Sequence, residues 1–317
     1  MRRAFFVLGF LALVALLATP SPEARAEPPG RAPQQATFRS SIDLVQVRAV
    51  VRDRRGRFVY GLEKGDFEVI DGGHYRPLVD LQFDASAPIR VALLFDVSGS
   101  MSVSSKLERA VAAARHFVEG LQAGDEAAVF AFDRSLRQVQ PFTADRDAIY
   151  RAFSSLRAYG QTSIFDAAAG TASHISPDRS RRQAIVIVTD GIDTSSRMTA
   201  EEVSAIASAI DVPIYVFAVV LPIDHEGMDD SMTARAKRET ETALGRLAFW
   251  TGGSTHVTST PAHASVAARD ILGELRHQYL LAFEPGPPGW RPLTVRATDA
   301  DYSVRARTGY RSGSGTS

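Results

Sequence analysis

From Leu44 to Val51 apolar and polar residues roughly alternate, the period of a half-buried strand. Asp53 to Arg57, around Gly56, predicts a hairpin turn into Phe58-Val59-Tyr60. Phe67 to Ile70, the turn Asp71-Gly72-Gly73 and Leu78 to Phe83 continue the β pattern. After Pro88 the texture changes. Val91 to Phe95 is an unbroken apolar run of the kind buried on both faces of a parallel sheet. Leu107, Val111, Ala114, Val118 and Leu121 follow at helical spacing. Further apolar strands are expected at Ala127–Phe132, Ala184–Val188 and Ile214–Val220, and helices at Ala148–Leu156, Glu201–Ile210 and Ala234–Ala248. The β texture returns in Tyr279–Phe283, Leu293–Ala297 and Val304–Thr308, with Pro285, Pro287, Pro288 and Gly289 turning the chain between the first two.

This order predicts an α/β fold: a doubly wound, mostly parallel, Rossmann-like sheet inserted in a small β-sandwich built from the N- and C-terminal segments. Two separate β-ribbons would each be marginal in water, so the early and late strands should pair with one another. The expected boundaries are a first sandwich part at 37–88, the α/β domain at 89–277, a second sandwich part at 278–311 and a tail at 312–317.

The first residues read differently. Arg2 and Arg3, the apolar stretch from Phe5 to Ala18 and the small-residue sequence Ala24-Arg25-Ala26 form the pattern of a secretory signal peptide over 1–26, cleaved after Ala26. The stretch is shorter than the roughly 20 residues of a spanning helix. A Pro- and Ala-rich linker at 27–36 follows, and no later segment is long and apolar enough to span a bilayer. An exported location, periplasmic or extracellular, is therefore expected.

Lys plus Arg and Asp plus Glu stand at 36 each, so no global field draws the chain to nucleic acid, and a partner must be recognised locally. Cysteine is absent, which removes disulfides, thiolate catalysis and cysteine-ligated zinc. Asn is absent too, and the cations are overwhelmingly Arg, as in a GC-rich bacterial coding sequence.

Three polar clusters fall where an open α/β sheet places its ligand crevice, outside the carboxyl ends of the strands. They are Asp96-Val97-Ser98-Gly99-Ser100, Gly160-Gln161-Thr162-Ser163 and Thr189-Asp190-Gly191. Two carboxylates and several hydroxyls are hard oxygen donors, suited to Mg²⁺ or Mn²⁺ rather than zinc. An ion with few protein carboxylates leaves room for an outside ligand, naturally the carboxylate of a protein or peptide partner.

With these residues in order, the chain resembles a von Willebrand factor type A, or integrin I-like, domain over roughly Ile89 to His277. That family's metal-ion-dependent adhesion motif is D-x-S-x-S, then a distant Thr, then a distant Asp. The resemblance implies hydroxyl coordination by Ser98, Ser100 and Thr162, with Asp96 and Asp190 acting directly or through water. The flanking Gly65-Asp66-Phe67 and Arg307-Thr308-Gly309-Tyr310 resemble bacterial exported proteins of the same broad family. Ser104 and Ser105 stand where some relatives carry a second acidic pair, so a single ion is expected; Gln161 replaces a Gly common in relatives.

Blander readings compete with this one. Ser and Asp at a strand-to-helix junction are ordinary helix N-caps. Asp166 and Asp193 fit a helix first turn, Asp133 a turn, and the basic run from Arg179 to Arg182 a solvated turn. The seven histidines show no paired spacing, and Trp250 and Trp290 are expected as core or sandwich anchors. The acidic stretch Asp224 to Asp230 is either a specificity loop or a solvated excursion. The leading expectation is a non-enzymatic, exported binding or adhesion module. Its alternatives are a Mg²⁺-dependent phosphotransferase or hydrolase with Asp96 as nucleophile, and an assembly scaffold with a vestigial site. That enzyme reading resembles haloacid dehalogenase-like folds, which carry D-x-D at the strand end; here the third position is Ser98, so the general acid that resemblance implies is missing, and no Walker loop, G-x-S-x-G elbow or G-x-G-x-x-G fingerprint occurs.

Overall fold

The computed structural model describes residues 44–176, 178, 180–191, 193–209, 211–219 and 242–313. The expected signal peptide, the linker, residues 234–241 of one expected helix, the acidic stretch from Asp224 and the last four residues of the tail lie outside the described residues.

Four strands come first: β1 (Val45–Arg52), β2 (Phe67–Asp71), β3 (His74–Arg76) and β4 (Leu78–Phe83). Strand and helix then alternate through β5 (Ile89–Asp96), α1 (Lys106–Glu119), β6 (Glu126–Phe132), β7 (Leu136–Thr143), α2 (Arg146–Ser155), α3 (Ile164–His174), β8 (Arg182–Thr189), α4 (Ala200–Ala209) and β9 (Ile214–Val219). The series continues with α5 (Ala243–Trp250), β10 (Thr255–Thr258) and α6 (Pro261–Arg276). Four more strands close the chain: β11 (Gln278–Phe283), β12 (Gly289–Ala297), β13 (Ser303–Ala306) and β14 (Gly309–Ser312).

The central sheet has the order β10-β9-β8-β5-β6-β7 and is parallel except for β7, which pairs antiparallel with β6. Alternate residues of β5 serve two cores. Val91, Leu93 and Phe95 pack into a cluster with residues of α1, α2 and α6, while Ala92 and Leu94 face residues of α3, α4 and α5. Each of these β5 residues is wholly buried, which is why the strand reads as an unbroken apolar run. Burying each such Leu contributes roughly 1.5–3 kcal/mol.

The other strands form two four-stranded sheets, β13-β1-β11-β4 and β14-β12-β2-β3, each drawing on both ends of the chain. Val47, Ala49 and Val51 of the first sheet share one apolar cluster with Phe67, Val69, Leu293 and Val295 of the second. Arginines join this layer to the α/β part: Arg48 pairs with Asp211 at 3.2 Å, and Arg52 with Glu274 of α6 at 3.0 Å.

Several local expectations are corrected. Phe58 to Tyr60 forms no strand beyond a single bridge between Arg52 and Phe58. Trp290 is 50% exposed, not a sandwich anchor; its ring covers Gly309 at the start of β14. Strand β7 was not foreseen because Pro141 interrupts it, and the edge of the sheet is where Pro is tolerated. Helix α6 was hidden because many of its buried positions are small alanines, Ala264, Ala267 and Ala268.

Candidate functional site

In the sheet order, β5 lies between β8 and β6, so the loops leaving β5 and β8 turn away at the switch point of the topology. Phe95 stands opposite Val188, and the chain then delivers Asp96 and Thr189 side by side at the carboxyl ends of adjacent strands. The Thr189 hydroxyl donates to Asp96 Oδ2 at 2.6 Å, and the Ser98 amide donates to Asp96 Oδ1 at 2.9 Å. Asp96 is fully buried. Burial pushes its carboxyl above the ordinary value and the neighbouring Asp190 charge pushes the same way, against the hydrogen bonds from Ser98 and Thr189.

Beyond Asp96 the chain enters a 3₁₀ turn, Gly99–Ser105, anchored by the buried Met101. Ser98 holds the N-cap position of that turn yet makes no side-chain capping bond; its hydroxyl lies 3.1 Å from the Ser100 hydroxyl instead. Ser105 before α1 and Ser163 before α3 likewise make no side-chain capping bond. Elsewhere the chain caps its helices in the usual way, with Asp145 on α2, Thr242 on α5 and Thr260 on α6. The capping explanation for Ser98 therefore fails on geometry, and its hydroxyl is left to the cluster.

The middle segment is tied to the first by backbone. Gly99 donates to the Gly160 carbonyl at 2.9 Å, and Tyr159 to the Val97 carbonyl at 2.6 Å. Gly160 has φ +89, and a Cβ there would stand 3.2 Å from Asp133 Cβ, so both conformation and space call for glycine. Thr162 is buried, and its carbonyl accepts from the Ser195 amide at 3.0 Å and the Ser195 hydroxyl at 2.9 Å. Asp193 accepts from the Ile164 and Phe165 amides, Asp166 from those of Arg197 and Met198, and Asp133 from Ser135. These three carboxylates hold loops in place; Asp166 lies in the first turn of α3 as expected, whereas Asp193 lies in the loop after β8 and not in a helix.

Asp190 follows Thr189, whose hydroxyl also accepts from the Gly191 amide at 3.0 Å. The Asp190 side chain is 3% exposed. Its Oδ2 accepts from Lys106 Nζ at 2.9 Å, whereas its buried Oδ1 has no hydrogen-bond partner. An orphaned buried carboxylate oxygen costs free energy and marks a place where a donor or a cation fits. Asp96, Ser98 and Ser100 are thus linked by hydrogen bonds, Asp190 acts on Asp96 through its charge, and Thr162 sits on the loop bonded to Val97 and Gly99. Among the described residues no three His, Cys, Asp or Glu side chains group as a metal cluster; the donors here are two carboxylates and hydroxyls.

The sequence placed Thr189 in the third cluster without giving it a role, and Lys106 was missed. Thr189 bridges the Asp96 carboxylate to the Gly191 loop, and its place beside Asp190 at a strand end was the available signal. Lys106 is the first residue of α1, where the helix dipole disfavours a cation unless it has a fixed anionic partner.

Residues 91–193 match the family model described as von Willebrand factor type A domain. No curated protein matches the chain. Among solved structures it is similar to a von Willebrand factor type A protein from Catenulispora acidiphila, with 14% identity and a TM-score of 0.48 over 87% of this chain and 76% of that one. It is also similar to an aerotolerance-related membrane protein from Bacteroides fragilis, with 22% identity and a TM-score of 0.47 over 59% of this chain and 98% of that one. BatB from Bacteroides thetaiotaomicron covers the same shares at 20% identity and a TM-score of 0.46. The segment that carries Asp96, Ser98, Ser100, Thr162 and Asp190 lies within the stretch that matches the von Willebrand factor type A family model.

Proposed function

We propose that this chain is an exported, non-enzymatic binding module that grips an acidic group of a protein or peptide partner through a single divalent ion, Mg²⁺ or Mn²⁺. Asp96, Ser98, Ser100, Thr162 and Asp190 would hold the ion, and the ion would supply a Lewis-acidic site for the partner's carboxylate. The observation that carries the reading is the buried Asp190 Oδ1 without a partner, beside a second buried carboxylate and hydroxyls that decline to cap their helices. The donor set is all oxygen, which suits a hard cation. Ser104 and Ser105 add no carboxylate next to the site, in keeping with one ion. The pattern of the first 26 residues supports export, and no helix among the described residues is long and apolar enough to cross a membrane.

Immobilised protein should capture a partner from the exported fraction of its source in Mg²⁺ and release it on chelation, and Asp96→Ala should capture nothing. Capture indifferent to both chelator and Asp96→Ala would refute the metal-bridged reading. Phosphatase turnover that requires Asp96 would replace it with the enzymatic one.

A further inference from the structure

Lys106 is anomalous by three independent measures. It opens α1, where the unpaired amides of the first turn repel a cation. The two residues that lead into it, Ser104 and Ser105, both hold left-handed backbone angles, φ 51 and φ 58, which serine adopts only under constraint from its surroundings. Its side chain is nevertheless turned inward, 17% exposed, so that Nζ meets Asp190 Oδ2 at 2.9 Å. The ammonium thus sits on this carboxylate against the helix dipole, directly after two left-handed residues.

The other oxygen of the same carboxylate, Oδ1, is buried and unpartnered. An ammonium and a divalent ion a few ångströms apart repel each other strongly in a partly buried site. Asp96 and Asp190 carry two negative charges and Lys106 one positive, so an added divalent ion would leave an excess of one positive charge. We infer that Lys106 is an internal cation that competes with the divalent ion for Asp190, holding down the site's affinity for the bare ion. The inference rests on the metal-site reading above. It assigns Lys106 a role opposite to that of a residue that merely orients Asp190, because removing an orienting residue would weaken metal binding and removing a competitor strengthens it.

Calorimetric titration of Mn²⁺ into the wild-type chain, Lys106→Met and Lys106→Arg separates these roles. Lys106→Met should bind Mn²⁺ on the order of tenfold more tightly than wild type, equivalent to about 1.4 kcal/mol, and Lys106→Arg should stay near wild type. Melting in chelator gives a second reading: Lys106→Met should melt below wild type, since Asp190 has lost its counter-ion, and Mn²⁺ should raise its melting temperature by more than it raises that of wild type. Mn²⁺ binding by Lys106→Met that is equal to or weaker than wild type overturns the competition while leaving the metal site standing. No Mn²⁺ binding by any of the three proteins overturns both.

Discussion

Asp96 carries two opposed demands at the scale of a single residue. Its carboxyl is buried beside a like charge, so the ionised form is costly, yet that charge is what a cation would need. A carboxyl whose folded pKa is raised favours the folded state below its unfolded pKa and loses that contribution as pH rises through the folded value. Asp96→Asn removes the charge while keeping an oxygen to accept from the Ser98 amide. In chelator at neutral pH the variant should therefore melt higher than wild type, with roughly 2–4 °C for each kcal/mol gained in a domain of this size. It should also lack the melting response to Mg²⁺. Thermal melts with and without Mg²⁺ check both halves, and a lower melting temperature in chelator would show that the charge is compensated by the protein itself.

At this scale part of the site was legible. Asp96 ends an apolar strand, Ser98 and Ser100 follow it, and Thr162 and Asp190 fall in other loops at the same edge, whereas their reading as one set of ligands is what the family resemblance implies. What was not legible was which hydroxyls cap helices and which do not. That depends on the 3₁₀ turn after Ser98, which composition does not predict. Lys106 was overlooked because a lysine at the start of a helix reads as solvated until its carboxylate partner, 84 residues away in sequence, is placed beside it.

Among elements, α6 has a double allegiance. Its Ala264, Ala267, Ile271 and Leu275 pack against the central sheet, while Glu274 reaches the sandwich layer through Arg52 of β1 and Arg305 of β13. Burial alone would raise the Glu274 pKa, but Arg305 and Arg52 outweigh it and hold the carboxyl below its ordinary value. Its contribution to stability is thus present above the unfolded pKa and lost as pH falls through the folded one. Glu274→Gln should cost on the order of 2–3 kcal/mol by denaturant midpoint, somewhat less than for a wholly buried pair because Arg52 and Arg305 are 24% and 27% exposed. The loss should shrink under acid. A midpoint unchanged at neutral pH would mean that the Glu274 ion pairs do not help to join the two layers. Elements were read well where apolar runs were long, as in β5 and β8, and poorly where small or interrupted patterns carried the burial, as in α6 and β7.

At the scale of the molecule, the first and last described strands meet in shared sheets, and the mostly parallel sheet between them in sequence presents its switch point as a polar edge. That edge gathers the loops after β5 and β8 and the segment before α3, held by Asp133, Asp166 and Asp193, by backbone bonds and by the hydrogen bonds that Asp96 itself accepts. Binding of one divalent ion at this edge is tested by direct titration of Mn²⁺ followed by electron paramagnetic resonance. One Mn²⁺ should bind per wild-type chain and none to Asp96→Ala or Asp190→Ala. Saturating Mn²⁺ that leaves the wild-type spectrum that of the free ion, or binding that survives both substitutions, would contradict it.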